Sequence, residues 1–133
     1  MRSLLFSVFI LLMMAFQNAN ADWTRIHVSW QSDNLLFVDR TTIRRSGNIA
    51  KMWDLADFKT AYMLDNGKAS FSRKAEMEYD CNEERARMVA ITWYTGKMGN
   101  GTVVFSNSNI PDRWRPVAPG GTSEIMLKIA CGK

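Results

Sequence analysis

The stretch from Ala69 to Ser106 constrains the fold more than any other part of this 133-residue chain. In FSRKAEMEYDC, Ala75, Met77, Tyr79 and Cys81 alternate with Lys74, Glu76, Glu78 and Asp80. Period-2 alternation of this kind belongs to a half-buried strand, apolar on one face and charged on the other. A polar loop (Asn82, Glu83, Glu84) leads to a second strand, RARMVAITWYT. Gly96, Gly99 and Gly101 then turn the chain into a third, TVVFS. Cys81 stands at the first turning point. The other cysteine, Cys131, lies near the C-terminus, so whatever Cys81 holds comes from the far end of the sequence.

The N-terminus reads as an export signal. Met1-Arg2 is a short basic region, Leu4 to Phe16 is an apolar run, and Ala19-Asn20-Ala21 is a small-x-small cleavage site. The run falls short of the about 20 apolar residues that a transmembrane helix needs. Residues 1–21 are therefore expected to be a cleaved signal peptide and residues 22–133 a single mature domain, with no transmembrane segment. No cysteine lies near the cleavage site, so no lipid anchor is expected there. The mature chain would be periplasmic, on the cell surface or secreted.

Cleavage would remove Arg2 and lower the formal charge from +4 to +3. So small a surplus does not point to nucleic acid, and export makes that partner less apt still. All five tryptophans (Trp23, Trp30, Trp53, Trp93 and Trp114) lie beyond the signal. Each is expected first as packing, although tryptophan is also enriched at binding hot spots. Two cysteines in an exported domain read as one disulfide, Cys81 to Cys131. The chain-entropy model assigns a loop of this length roughly 4 kcal/mol. A catalytic thiol pair would call for C-x-x-C spacing, which is missing.

In order, WTRIHVSW is a first strand with Trp23 and Arg25 on one face and Ile26, Val28 and Trp30 on the other, followed by a polar turn over Gln31 to Asn34. LLFVD is a short second strand. TTIRRSGNIAKMWDL forms a hairpin in which Gly47 supplies positive φ. Ala56 to Asn66 is less periodic, and Asp65-Asn66-Gly67 is a turn. PDRWRPVAPGG is too rich in Pro and Gly for a central strand. A short terminal helix follows, capped by Thr122 or Ser123, with Glu124 at its positive end, Ile125, Met126, Ile129 and Ala130 on its apolar side, and Gly132 as its stop. The fold class is α+β: about six antiparallel strands with one C-terminal helix packed on them and tied by the disulfide. Ala75, Met77, Tyr79 and Cys81 should lie beneath that helix.

The register between residues 75–81 and 85–93 has two solutions. A three-residue loop sets Tyr79 opposite Arg87 and Met77 opposite Val89. A four-residue loop sets Asp80 opposite Arg85 and Glu78 opposite Arg87. A one-residue slip exchanges them. The first is expected, because Val89, Ile91 and Trp93 then face the helix; a bulge would reconcile the two.

Catalytic constellations are missing, and the chain is not expected to be an enzyme. His27 is the single histidine, and no His/Cys/Asp spacing around it supports a metal site. Asp54 with Asp57, or Glu76 with Glu78, are carboxylate pairs without a pocket signature. Gly96-x-x-Gly99-x-Gly101 lacks the lysine and hydroxyl of a phosphate loop and reads as a hairpin turn. The basic residues are more informative. Arg40, Arg44, Arg45 and Lys51 gather around the Gly47 hairpin, and Arg113 and Arg115 flank Trp114. Arginine beside tryptophan recognises partners through bidentate hydrogen bonds and stacking. Arg44, Arg45, Lys51, Arg113, Trp114 and Arg115 are thus the candidate protein-binding surface, and the strands around Cys81 are expected to be scaffold alone.

One set of motifs spans nearly the whole mature chain. It runs from Trp23 through Val38-Asp39, Ile43-Arg44-Arg45-x-Gly47 and Met52-Trp53-x-Leu55-x-Asp57-Phe58. It continues with Ser72-Arg73-Lys74, Glu78-Tyr79-Asp80-Cys81, Arg87 and Tyr94-x-Gly96-x-Met98-Gly99-x-Gly101. Trp114-x-Pro116-Val117-x-Pro119-Gly120 and Cys131 complete it. This pattern resembles the bacterial surface-adhesin protein E family. The resemblance implies an antiparallel sheet with a disulfide-tied C-terminal helix, a Gram-negative source and a non-enzymatic role in adhesion to host extracellular-matrix proteins. It leaves haem binding, with His27 as the residue to test, and homodimerisation open. The adhesin that names the family is a lipoprotein, and this chain departs from it in having no cysteine at the mature N-terminus. The alternative expectation is a periplasmic or envelope protein that binds a small ligand, such as haem, or another envelope component.

Overall fold

Long alternating segments separated by tight turns leave a simple arrangement, in which each strand pairs with the next in sequence. The computed structural model describes residues 21–27 and 34–133. The export signal, the strand positions Val28 and Trp30, and most of the turn at 31–34 lie outside the described residues. The strands are β1 (Trp23–Ile26), β2 (Leu35–Ser46), β3 (Ile49–Met63), β4 (Ala69–Asp80), β5 (Arg85–Tyr94), β6 (Val103–Asn107) and β7 (Arg115–Pro116). One helix, α1 (Thr122–Cys131), follows. The sheet is antiparallel in the order β1-β2-β3-β4-β5-β6, and the two-residue β7 pairs with the start of β5.

Two strands run past their expected ends. β2 continues from LLFVD through an irregularity between Asp39 and Arg44. β3 continues to Met63 through another between Asp57 and Tyr62. These extra residues break the period-2 pattern, which is why Ala56 to Asn66 looks aperiodic in sequence. The Gly47 turn is as expected, with φ +58°.

The hairpin between β4 and β5 corrects the expected register. Asp80 lies opposite Arg85, Glu78 opposite Arg87 and Tyr79 opposite Ala86, the four-residue-loop solution. Two things favour it. Asp80 caps the turn by accepting the N–H groups of Asn82 (3.1 Å) and Glu83 (3.0 Å), and its other oxygen takes Arg85 Nε at 3.0 Å. Glu84 then closes the turn in the left-handed region (φ +51°). A bulge after Met88, with Met77 opposite Met88 and Glu76 opposite Ala90, inserts Val89 and returns Ile91 and Trp93 to the face of Ala75 and Arg73. Val89, expected to face the helix, is the inserted residue instead.

The helix covers one face of the sheet. Met126, Leu127, Ala130 and Cys131 are its buried residues, and they pack with Val38, Ala50, Met52, Tyr79, Cys81 and Ala86. Ile125 and Ile129, expected on the apolar side with Met126 and Ala130, pack against this core partly buried, and Leu127, not expected there, is buried. Gly121 is the N-cap in place of the expected Thr122 or Ser123, with no side-chain cap. Glu124 reaches back to accept the N–H of Gly120, the residue before the N-cap, at 2.6 Å, which places its charge at the positive end of the helix. At the other end Gly132 is left-handed (φ +69°), and Lys133 N donates to Lys128 O at 2.9 Å, as in a Schellman stop. The Cys81–Cys131 disulfide is formed, with its Cα atoms 5.7 Å apart. Lys133 Nζ donates to Cys81 O and Arg45 Nη1 to Cys131 O, each at 2.8 Å.

The bridge closes a long loop, so its loss should be costly. Cys81→Ser with Cys131→Ser should lower the unfolding free energy by about 4 kcal/mol in urea titrations. Equal stability of the oxidised protein and the double variant would refute this.

Candidate binding surface

Because α1 occupies one face, every second residue of the sheet is left on the other, and directly paired residues there form transverse rows. One row is Arg44 opposite Lys51, Lys51 opposite Glu78 and Glu78 opposite Arg87. It joins the Gly47 hairpin to the charged side of the Cys81 strands. Lys51 Nζ lies 3.6 Å from Glu78 Oε1, and Arg87 Nε and Nη2 both donate to Glu78 Oε2 at 3.1 and 2.9 Å. Beyond Arg87 comes Trp114, whose ring lies 4.4 Å from the Arg87 guanidinium carbon and 5.0 Å from that of Arg85. Lys51 and Arg87 share the Glu78 carboxylate, Arg44 donates instead to the Thr41 and Ile43 carbonyls, and the row is left net positive.

Trp114 is held from both sides. Ile110 N donates to Val89 O at 3.0 Å, and Val117 N to Glu84 O at 3.0 Å. Between them Asp112 accepts Met88 N at 3.3 Å with one oxygen, and Arg113 N and Arg115 Nη2 at 2.9 and 3.3 Å with the other. These bonds, the Met88 N–H foremost, hold the Asp112 carboxyl below its ordinary range. The loop is thus laced to β5, and its tryptophan stands as a fixed wall.

A second row runs alongside: Trp23 opposite Asp39, Asp39 opposite Trp53 and Trp53 opposite Glu76. Trp23, Trp53 and Tyr94 are half-buried around Lys74, whose Nζ lies 5.8 Å from the Trp23 ring and 5.3 Å from the Tyr94 ring. They line a hollow of about 230 Å³ together with Asp39 and Thr92. A groove of about 460 Å³ shares Asp39 and Trp53 with this hollow and extends it to Arg44 and Glu76. The aromatic hollow and the cationic row therefore form one continuous surface.

The six candidate residues divide. Arg44, Lys51 and Trp114 come together on this face. Arg45 does not: its guanidinium donates to Cys131 O and, at 3.1 Å, to Gly47 O, tying the hairpin to the helix end. Arg113 and Arg115 are exposed in the Trp114 loop, with Arg115 paired to Asp112. Reading the residues in clusters missed Trp23, Trp53, Lys74, Arg85, Arg87 and Tyr94. The alternation that places Glu76 and Glu78 outside also places Lys74 there, and the Lys51 face carries Trp53.

His27 is exposed just after β1. The N–H groups of the glycine loop are already used: Met98 N donates to Asp57 Oδ1 and Gly99 N to Ser72 Oγ, both at 2.8 Å. Gly99 stands in the left-handed region (φ +72°), where any other residue is strained, and a Cβ there would displace the end of the Lys74 side chain, 2.4 Å away at Cε. Asp54 and Asp57 are three apart on a strand and fall on opposite faces, so they do not form a pair. Among the described residues no group of three or more His, Cys, Asp or Glu could hold a metal ion.

Asp54 lies on the helix side, and burial pushes its carboxyl up to about 6, with the Arg73 charge pulling part of the way back. A raised carboxyl binds its proton more readily in the folded chain than in the unfolded one. Its penalty is therefore absent below pH ~4, grows between pH ~4 and ~6, and is complete above that, at about 3 kcal/mol. Asp54→Asn should accordingly gain stability over the parent at pH 8 and little at pH 3.5, read from paired denaturation curves. An identical difference at both pH values would show that ionisation of Asp54 is not the cause.

With this geometry in place, comparison with known proteins is informative. The family model described as surface-adhesin protein E matches residues 23–132. No curated protein sequence matches the chain. Among solved structures, one of Haemophilus influenzae protein E aligns with TM-score 0.60 and 15% identity, covering 81% of this chain and 83% of that one. A second crystal form aligns with TM-score 0.56 and 12% identity over 73% and 80%. Protein E from non-typeable Haemophilus influenzae aligns with TM-score 0.55 and 14% identity over 81% and 75%. At these identities the likeness is one of fold.

Proposed function

The chain belongs to the surface-adhesin protein E family, and we propose that it is an exported, non-enzymatic adhesin that binds host extracellular-matrix proteins through the sheet face opposite α1. The observation that carries this reading is the continuity of that face: Arg44, Lys51, Arg87 and Trp114 along one row, Trp23 and Trp53 along the next. Fixed tryptophan and tyrosine walls with arginine between them are the composition of protein-binding hot spots. The positive surplus suits acidic segments of a partner and would speed encounter.

Two measurements test it. Protease applied to intact cells should cleave the chain; protection until the outer membrane is broken would favour a periplasmic partner and sink the adhesin reading. On a panel of immobilised matrix proteins, Trp114→Ala and the Arg44→Ala/Lys51→Ala double variant should each lose about tenfold in affinity. Lys128→Ala, on the helix, should bind as the parent does. Unchanged binding by the first two variants would remove this face from the interaction.

A further inference from the structure

The helix side holds a second, smaller site. Among the described residues, two buried side-chain polar atoms have no hydrogen-bond partner in the protein, Asp54 Oδ1 and Arg73 Nη1. They are diagonal neighbours on one face, since Asp54 lies opposite Ala75 and Arg73 opposite Ala56. They nevertheless form no ion pair. The Arg73 guanidinium leans over the Trp93 ring instead, 5.8 Å from its centroid. A buried donor and acceptor left unpaired are unfavourable, so both atoms are open to a polar occupant of the space beside them.

Both residues line a cavity of about 190 Å³, several times what one water needs. Thr122 and Ser123 lie at its rim. They are the first two residues of a ten-residue helix whose N-cap, Gly121, provides no side-chain cap. Their N–H groups have no carbonyl partner within the helix, and they stand at its positive end. Tyr79 also lines the cavity, and the remaining walls, Leu36, Met77, Met88 and Met126, are apolar. The site therefore presents anion-seeking groups (the helix end and Arg73), one cation-seeking carboxylate (Asp54), and a small apolar space.

We propose that this cavity binds a small zwitterion, a free α-amino acid with a short side chain. Its carboxylate is held by Arg73 and the N–H groups at the start of α1, and its ammonium by Asp54. A simple anion would satisfy Arg73 and the helix end but leave Asp54 unpaired beside a second negative charge. A simple cation would do the reverse. Ordered water can bridge the two orphaned atoms in the free protein; a charged ligand that displaces it must bear both groups to satisfy both. The volume limits the side chain, favouring glycine, alanine and serine over tryptophan.

The test is a titration of the folded, oxidised chain with glycine, L-alanine, L-serine and L-tryptophan, followed by calorimetry and amide NMR. The three small amino acids should bind one to one and shift the amides of Asp54, Thr122 and Ser123. Acetate and methylamine, which each carry half of the recognition, should bind at least about tenfold more weakly. Asp54→Asn and Arg73→Gln should each weaken L-alanine by about tenfold or more, and Lys68→Ala, exposed in the turn before β4, should not. Absence of saturable binding at millimolar concentration would overturn the proposal. So would shifts confined to other residues, or acetate binding as tightly as L-alanine, which marks an adventitious anion only. The shift map of the parent protein decides the matter even if a variant fails to fold. None of these outcomes bears on adhesion by the other face.

Discussion

A helix of ten residues is too short to persist by its own hydrogen bonds, because isolated helices below roughly 12–15 residues are marginal in water. Here it is held at both ends of its buried stripe. Cys131 is bonded to Cys81, Arg45 and Lys133 reach across the same junction, and Leu127 and Met126 fill the space above Tyr79 and Met52. That contact decides which side of a two-sided sheet is core. Once it is made, Ala50, Met52, Ala75 and Tyr79 are inside, and Lys51, Trp53, Lys74 and Glu78 have only the other face available.

The outward face is consequently organised by strand pairing. Partly exposed ion pairs add little stability, so the bonds from Arg87 and Lys51 to Glu78 matter mainly for where they place the cations. Arg87 is aimed at Trp114, and Trp114 is fixed by a loop that spends its carboxylate, Asp112, on the backbone of β5. The strands around Cys81 are in this way both floor for the helix and the centre of the candidate surface. Their sequence invites the scaffold reading alone, because a row of charges on a strand is usually no more than a solvated face.

Alternation and cysteine count made the architecture legible: the apolar face of residues 75–81, the disulfide and the Gly47 hairpin are as read, and the terminal helix is present with a different cap and Leu127 added to its buried side. What remained hidden was whatever breaks a simple period. Glu84 takes a left-handed conformation that usually advertises itself as glycine, so the loop between Asp80 and Arg85 looks one residue shorter than it is. Val89 is an inserted residue with nothing in its side chain to mark a bulge. The candidate surface was half visible for a related reason. Arg44 and Arg45 are neighbours in sequence and were grouped by charge, whereas adjacent strand residues point to opposite faces. The cavity beneath the start of α1 was not legible at all, since it depends on Arg73 leaning toward Trp93 and away from Asp54.

The position of α1 along the chain also governs assembly. Every strand it covers precedes it, so the apolar side of the sheet stays uncovered until residues 122–131 have been delivered. In a chain threaded through a membrane from its N-terminus, those residues arrive after the whole sheet. Contacts closed over such separations form slowly, and an uncovered sheet face is prone to misassociation. Closure of this fold is therefore a last event, one that an oxidising compartment alone can lock.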